Sequence, residues 1–131
     1  MKSFRNLFVL FTAILLLALA AGCKNDAPAA FQINDVASDP AAFDGPMTVV
    51  GITYGYSQSD ATIVGVMDKK ELQCTTPNCN KVLLPVKITG TRPAIGDEVK
   101  ISGSFTREPG GYLFHADKME VLANHKLGGQ G

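Results

Sequence analysis

Two cysteines, Cys74 and Cys79, are separated by four residues that include the pair Pro77-Asn78. A turn at Pro-Asn would bring the two thiols together, and in an oxidising compartment such a pair forms a disulfide. Closing so short a loop contributes about 2 kcal/mol to the free energy of unfolding in the chain-entropy model. Two alternatives stay open: the thiolates bind copper or zinc together with a histidine from elsewhere, or they act in redox chemistry. The spacing favours the structural disulfide.

The two histidines, His115 and His125, have the side chains best suited to bind haem iron or a metal ion. His115 stands between Phe114 and Ala116, so strand alternation places its ring on the more solvated face. His125 follows the last apolar segment and is predicted to be solvated. We expect no cofactor, and haem or a transition metal held by these histidines is the alternative.

Three tyrosines, Tyr54, Tyr56 and Tyr112, could line a groove on the outside of a β-barrel, although core packing would explain them as well. The adjacent carboxylates Asp97 and Glu98 fit a polar turn that opens a strand. No Ser/His/Asp grouping, glycine-rich phosphate loop or paired-carboxylate motif can be picked out. We therefore expect a protein that is not an enzyme.

The N-terminal segment has the composition of an export signal. Lys2 and Arg5 form a positive region, and residues 7–21 are an uncharged run of 15 residues, shorter than the roughly 20 that span a bilayer. The run ends in Leu19-Ala20-Ala21-Gly22-Cys23, which resembles the lipobox of bacterial lipoproteins. The resemblance implies cleavage before Cys23, acylation of its thiol and attachment to a membrane through the lipid.

Acylation of Cys23 would also remove the odd cysteine and leave Cys74 and Cys79 as a pair. In many Gram-negative bacteria an Asp after the acylated cysteine retains a lipoprotein in the inner membrane, and Lys24 stands there in this chain. The resemblance thus implies the cell envelope, at the periplasmic face of the outer membrane.

Removal of the first 22 residues leaves 109, a length that suits one domain. Both charges in the removed segment are basic, so the 12 Lys and Arg fall to ten against 12 Asp and Glu, a formal charge of −2. The only adjacent basic pair is Lys69-Lys70. Because nucleic-acid binders depend on clustered cations, we expect no nucleic-acid partner; an envelope protein or a small ligand fits better.

Five segments with strand-like alternation follow a short helical turn. Asp39 is predicted to cap that turn, with Pro40 at its first position and Gly45 at its exit. In the first strand Val50, Ile52, Tyr54 and Tyr56 are predicted to share one face, with a bulge or bend at Gly51; in the fifth, a bulge is predicted near Asp117-Lys118. The predicted strands are residues 47–56, 63–68, 82–89, 99–106 and 112–122.

Short strands separated by glycine-rich turns favour a closed barrel, since closure removes exposed edges. The pattern resembles the small OB-fold proteins of the bacterial envelope that lack the helix between strands three and four, because residues 90–97 are too short and too rich in Gly and Pro for it. The resemblance implies an all-β, five-stranded, OB-fold-like antiparallel barrel, and it carries no activity. The expected segments are a signal peptide (1–22), an anchor and flexible tether (23–32), the barrel domain (33–123) and a flexible tail (124–131).

The end of the fifth strand carries a second resemblance. The runs Gly111-Tyr112-Leu113-Phe114-His115-Ala116 and Glu120-Val121-Leu122-Ala123-Asn124-His125 are similar to the end of the periplasmic haem chaperone of cytochrome c maturation, a membrane-tethered OB-fold. In that family a histidine just past the last strand attaches haem and a tyrosine four residues later ligates the iron. Here His125 matches the histidine, but Gly129 stands at the tyrosine position. Two expectations result: a non-enzymatic binding or scaffold module of unknown ligand or, as the alternative, a haem- or metal-handling protein that uses His125.

Overall fold

The computed structural model describes residues 29–74, 76 and 79–127, and these residues form an all-β fold. The strands are β1 (Phe31–Gln32), β2 (Met47–Tyr56), β3 (Ile63–Met67), β4 (Leu83–Lys87), β5 (Asp97–Glu108) and β6 (Gly111–Asn124). Helix α1 (Ile33–Ala37) follows β1, and single 3-10 turns occupy Pro40–Ala42 and Lys69–Gln73. The predicted export segment and Cys23 lie outside the described residues. Within this part of the chain, no helix combines the length and apolar character needed to cross a bilayer.

All six strands belong to one mixed sheet. Their order is β1-β2-β3-β4-β6-β5, with an additional pairing between β2 and β5. Four pairings are antiparallel, but β1 runs parallel to β2 and β4 runs parallel to β6. The prediction of five wholly antiparallel strands is therefore wrong. The parallel β4–β6 pair arises because β5 runs opposite to β4 and the β5–β6 hairpin reverses the chain once more. Strand β6 therefore runs in the same direction as β4.

The inward side chains of the strands and of α1 form one apolar core. Ile33 and Val36 of α1 are fully buried, and the backbone N–H of Asn34 donates a hydrogen bond to Oδ2 of Asp68 at 3.2 Å. This bond fastens α1 to the end of β3. The other buried members of the core come from the strands and the connection after β4: Val49, Val64, Val66, Leu84, Val86, Ile88, Val99, Ile101 and Phe114.

Strand β2 does not keep the predicted shared face of Val50, Ile52, Tyr54 and Tyr56. Its pairing with β3 slips after Thr53, so that Tyr54 is an extra residue and the alternation reverses. Tyr56 consequently packs against the core, whereas Tyr54 is 43% exposed. The irregularity against β3 lies three residues after the predicted position at Gly51.

The predicted bulge in the last strand is confirmed. Ser102 pairs with Lys118 and Gly103 pairs with Ala116, which leaves Asp117 without a partner on β5. A second slip, which the sequence pattern did not reveal, leaves Leu122 unpaired in the same way.

Strand β6 extends well beyond its contact with β4. The pairing of these two strands covers only Phe114 and His115 of β6. From residue 116 to 124 the strand partners, within the described residues, are all on β5.

The sequence predicted a helical turn after Asp39 and no helix between strands β4 and β5. The turn after Asp39 is confirmed as a 3-10 turn with Pro40 at its start, but the Asp39 side chain makes no capping hydrogen bond. Residues 88–96, between β4 and β5, contain no helix. Instead this connection is fastened to β2, because the N–H of Gly96 donates to the carbonyl oxygen of Thr53 at 2.8 Å.

Candidate functional site

A groove of about 540 Å³ opens on the outer face of β2, β3 and β4. Its floor is a row across the three strands, in which Gly55 pairs with Gly65 and Gly65 pairs with Pro85. The row therefore contributes no projecting side chain except one proline ring. The walls and ends of the groove are formed by Tyr54, Tyr56, Ser57, Ile63 and Leu83.

The two floor glycines are not needed for packing. A Cβ atom at Gly55 would meet nothing within 4 Å, and one at Gly65 would make an ordinary contact of 3.4 Å with Cδ1 of Leu83. Neither residue has a positive φ. Glycine inside a strand is less stable than alanine by about 0.5–1 kcal/mol, and it often marks a place where a ligand approaches the backbone. The groove is open because both residues lack a side chain.

Two other strand glycines have a different cause. A Cβ atom at Gly51 would lie 2.5 Å from Cγ1 of Ile33, and one at Gly103 would overlap the carbonyl oxygen of His115. Packing against α1 and across the β5–β6 hairpin therefore requires glycine at these positions. Gly111, at the start of β6, has no packing neighbour but has a positive φ of 129°. Among the described strand residues, Gly55 and Gly65 are thus the glycines that neither packing nor a positive φ requires.

Cationic groups stand over both tyrosines of the groove. Nζ of Lys81 lies 4.8 Å from the ring centre of Tyr54, and Cζ of Arg92 lies 4.0 Å from that of Tyr56. The Tyr56 hydroxyl donates a hydrogen bond to the carbonyl oxygen of Pro93 at 2.6 Å, which holds its ring beside the β4–β5 connection. Tyr54, by contrast, is 43% exposed.

The structure brings together two of the three tyrosines predicted to line a groove. Tyr54 and Tyr56 are neighbours there, but Tyr112 lies at the start of β6. Its ring packs edge-on against Phe105, with 6.3 Å between the ring centres. Tyr112 therefore belongs to a separate aromatic contact.

A polar cluster centred on Glu98 occupies another part of the outer surface. Nε2 of His125 lies 2.6 Å from Oε2 of Glu98, and Nζ of Lys69 lies 3.0 Å from the same oxygen. The Glu98 side chain is only 12% exposed. Hydrogen bonds from His125 and, second, from Lys69 hold the pKa of the Glu98 carboxyl below its ordinary value.

His125 is fixed at both its backbone and its ring, although it was expected in a flexible tail. Its backbone N–H donates to the carbonyl oxygen of Gly96 at 2.9 Å, while its ring contacts Glu98. From the sequence, Glu98 was expected with Asp97 in a polar turn that opens a strand. Its contacts with Lys69 and His125 were not predicted. No local signal could have found them, since Lys69 and His125 are 29 and 27 residues away from Glu98 along the chain.

The two histidines lie far apart along β6. His115 pairs with Ser104 of β5, whereas Asn124, the residue before His125, pairs with Asp97. Seven residues of extended strand separate these positions, a distance of about 23 Å. His115 and His125 therefore cannot bind the same metal ion.

Cys74 and Cys79 are joined in a disulfide, with 6.2 Å between their Cα atoms. The bond links the end of the 3-10 turn Lys69–Gln73 to the segment that enters β4. In this state the sulfur atoms are not available as thiolate ligands. In the part of the chain that the structure describes, no three His, Cys, Asp or Glu side chains are grouped to hold a metal ion. His115 is instead close to Glu108, with 3.6 Å between Nε2 and Oε1.

Comparison with known proteins finds no protein-family model that matches this chain and no curated protein that matches it. The functional inference therefore depends on the sequence and on the geometry of the groove.

Proposed function

We propose that this chain is a lipid-anchored binding module of the bacterial cell envelope, without enzymatic activity, whose ligand site is the groove on β2, β3 and β4. The acyl chains are attached to Cys23, and the domain lies at the periplasmic face of the outer membrane. The proposed anchor is supported by the uncharged run of residues 7–21 and the small residues before Cys23.

In this proposal the domain is an OB-fold-like barrel. The order of strands in the sheet ends at β5, and β5 also pairs with β2. This additional pairing returns the sheet to β2 and supports the proposal. OB-folds bind ligands over the second and third barrel strands and the adjoining loops. The corresponding strands here are β3 and β4, which supply Ile63, Gly65, Leu83 and Pro85 to the groove.

The observation that carries the proposal is the floor of the groove. Gly55 and Gly65 keep a strand surface open at a cost in stability, and no packing contact of the described residues requires them. A ligand that approaches the backbone closely would account for both. The exposed ring of Tyr54 supplies apolar contact area at the same place.

A neutral fluorescent probe tests the groove directly. The chain from residue 24, exported so that its disulfide forms, retains every element of the described structure and can be titrated with N-phenylnaphthylamine. Gly55→Leu places a side chain in the groove, and Thr106→Leu places the same side chain on an exposed part of β5 as the matched control. We expect saturable binding to the wild type and to Thr106→Leu, and binding at least about tenfold weaker for Gly55→Leu. Equal binding by all three chains, or no saturable binding, would contradict the proposal.

The anchor is tested in cells with the full chain. Cys23→Ser is expected to abolish incorporation of labelled palmitate and to stop signal cleavage, because the acylated cysteine is the substrate of lipoprotein processing. Cys74→Ser serves as the control and should leave labelling unchanged. Labelling that persists in Cys23→Ser would refute the anchor while leaving the groove proposal intact.

Haem or metal handling through His125 stays as the alternative prediction. An iron or metal ion at Nε2 would have to displace Glu98, which lies 2.6 Å away. A ferric haem titration of the wild type and His125→Ala, followed by the Soret absorbance, decides between the two functions. A saturable shift of the Soret band that is lost in His125→Ala would favour haem handling. A shift of equal size in His125→Ala would oppose it.

A further inference from the structure

We propose that the groove binds a dissolved anionic amphiphile, a small molecule with an apolar body and one terminal carboxylate. This inference rests on the binding function proposed for the groove, and it adds the class of ligand.

Two cations stand over the tyrosines of the groove. Lys81 and Arg92 stand over the rings of Tyr54 and Tyr56, and among the described residues neither cation is within salt-bridge distance of a carboxylate. The rings limit where these long side chains lie, so that two positive charges stay beside an apolar surface. A ligand with a negative end can therefore contact a cation without displacing an existing ion pair.

The groove itself is lined by uncharged residues. Its eight lining residues include no acidic and no basic side chain. The carboxylate in the β2–β3 connection, Asp60, lies 3.4 Å from Nζ of Lys87 and also accepts hydrogen bonds from Thr62. The charge of Asp60 is thus already balanced by that of Lys87.

The space is apolar and large enough for a small molecule. Ile63, Leu83 and Pro85 present hydrocarbon to the groove, and Tyr54 adds an exposed aromatic ring. The volume of about 540 Å³ falls within the roughly 300–1,000 Å³ of small-molecule sites. An alkyl chain or fused ring would cover the glycine floor while its charged end reaches Lys81 or Arg92.

The experiment compares decanoate, decanol and decyltrimethylammonium, which share one alkyl chain and differ in charge. Each is used, below micelle formation, to displace N-phenylnaphthylamine from the chain that begins at residue 24. We expect decanoate to displace the probe at a concentration about fivefold lower than decanol, because one exposed ion pair contributes modestly to affinity. Decyltrimethylammonium should be the weakest, and added salt should narrow the differences.

In the double variant Lys81→Ala/Arg92→Ala, decanoate and decanol should displace the probe at equal concentrations, so that the preference for decanoate is lost. The matched double variant Arg107→Ala/Lys118→Ala removes the same charges from exposed positions of β5 and β6 and should keep the preference. Probe binding without any charge preference, or a preference that survives Lys81→Ala/Arg92→Ala, would overturn the inference and leave the groove function standing. Absence of probe binding would overturn both.

Two further arms address other anions. Vesicles of phosphatidylglycerol that bind the chain when dissolved decanoate does not would identify a membrane surface as the ligand and overturn the inference. Oligothymidylate that displaces the probe more strongly than decanoate would do the same in favour of nucleic acid. Neither outcome is expected, since the apolar floor suits an alkyl chain and the chain after residue 22 is acidic overall.

Discussion

Strands β2 and β3 share one outer surface, but its two ends differ. At one end Ile52 pairs with Met67 on β3 and with Glu98 on β5, and both apolar side chains are fully buried. At the other end Gly55 pairs with Gly65, and the surface is open. The chain thus covers the paired side chains of Ile52 and Met67, whereas the paired positions Gly55 and Gly65 at the groove carry no side chain.

The covered end depends on segments that follow the strands. Lys69 belongs to the 3-10 turn after β3 and His125 follows β6, and both contact Glu98 beside Ile52. The open end has no comparable cover in the described residues, only Lys81 and Arg92 near its tyrosines. The covered end therefore serves stability and the open end is available for binding.

The largest effect should come from truncation at the covered end. Ile52→Ala removes a fully buried side chain and should lower the free energy of unfolding by about 3 kcal/mol, measured by urea denaturation. Tyr54→Ala, two residues along the same strand but exposed, should lower it by less than about 1 kcal/mol. Equal decreases in the free energy of unfolding of the two variants would contradict the distinction between the covered end and the open end.

The Glu98 cluster should make the covered end sensitive to acid. Glu98→Gln should lower the free energy of unfolding by about 2 kcal/mol near neutral pH, because it weakens two charge-assisted hydrogen bonds. Since the pKa of Glu98 is lowered in the folded state, its contribution is present above the ordinary carboxyl pKa and is lost as pH falls through the lowered value.

The difference between wild type and Glu98→Gln should accordingly shrink in urea denaturation at acid pH. Glu120→Gln, at an exposed position of β6, provides the control and should change stability by less than about 0.5 kcal/mol at either pH. A loss in Glu98→Gln that stays constant with pH would argue against the ionised cluster.

The disulfide connects the two ends, because Cys74 follows the turn that carries Lys69 and Cys79 precedes Lys81. Replacing both cysteines with serine should lower the free energy of unfolding by about 2 kcal/mol, measured without reductant. Dithiothreitol should lower the stability of the wild type to that of the variant and leave the variant unchanged. If dithiothreitol leaves the free energy of unfolding of the wild type unchanged, the disulfide contributes nothing to stability.

The smallest effect should have the opposite sign. Gly55→Ala adds a methyl group into open space and should raise the free energy of unfolding by about 0.5 kcal/mol, since it restricts the unfolded chain. Gly51→Ala, four residues earlier, should lower it by about 2 kcal/mol through overlap with Ile33. Urea denaturation measures the free energy of unfolding of both variants. A lower value for Gly55→Ala than for the wild type would mean that the floor glycine has a packing role.

The sequence predicted the strands well where alternation alone determines them. Strand β5 and the bulge at Asp117 were found because apolar and polar residues alternate there and then lose phase. The face of β2 was predicted wrongly, since the extra residue Tyr54 is defined by pairing with β3 and not by the sequence of β2 itself. The parallel β4–β6 pair was missed for the same reason: neighbours in a sheet are not neighbours in sequence.

The groove was foreseen only in part. Tyr54 and Tyr56 were identified as exposed aromatic candidates, and both line it. The floor was not recognised, because Gly65 has meaning only beside Gly55, and this pairing is a tertiary contact. Arg92 was likewise treated as part of a short connection, although the fold places its guanidinium over Tyr56.

The projecting end of β6 affects how molecules of this protein associate with one another. Past residue 115 its outer edge has no strand partner among the described residues, and Val121 and Leu122 are 53% and 47% exposed. Strands of other molecules can add to such an edge when the molecules are concentrated. The bulges at Asp117 and Leu122 interrupt its regular hydrogen-bonding pattern and so oppose growth of the sheet into an aggregate.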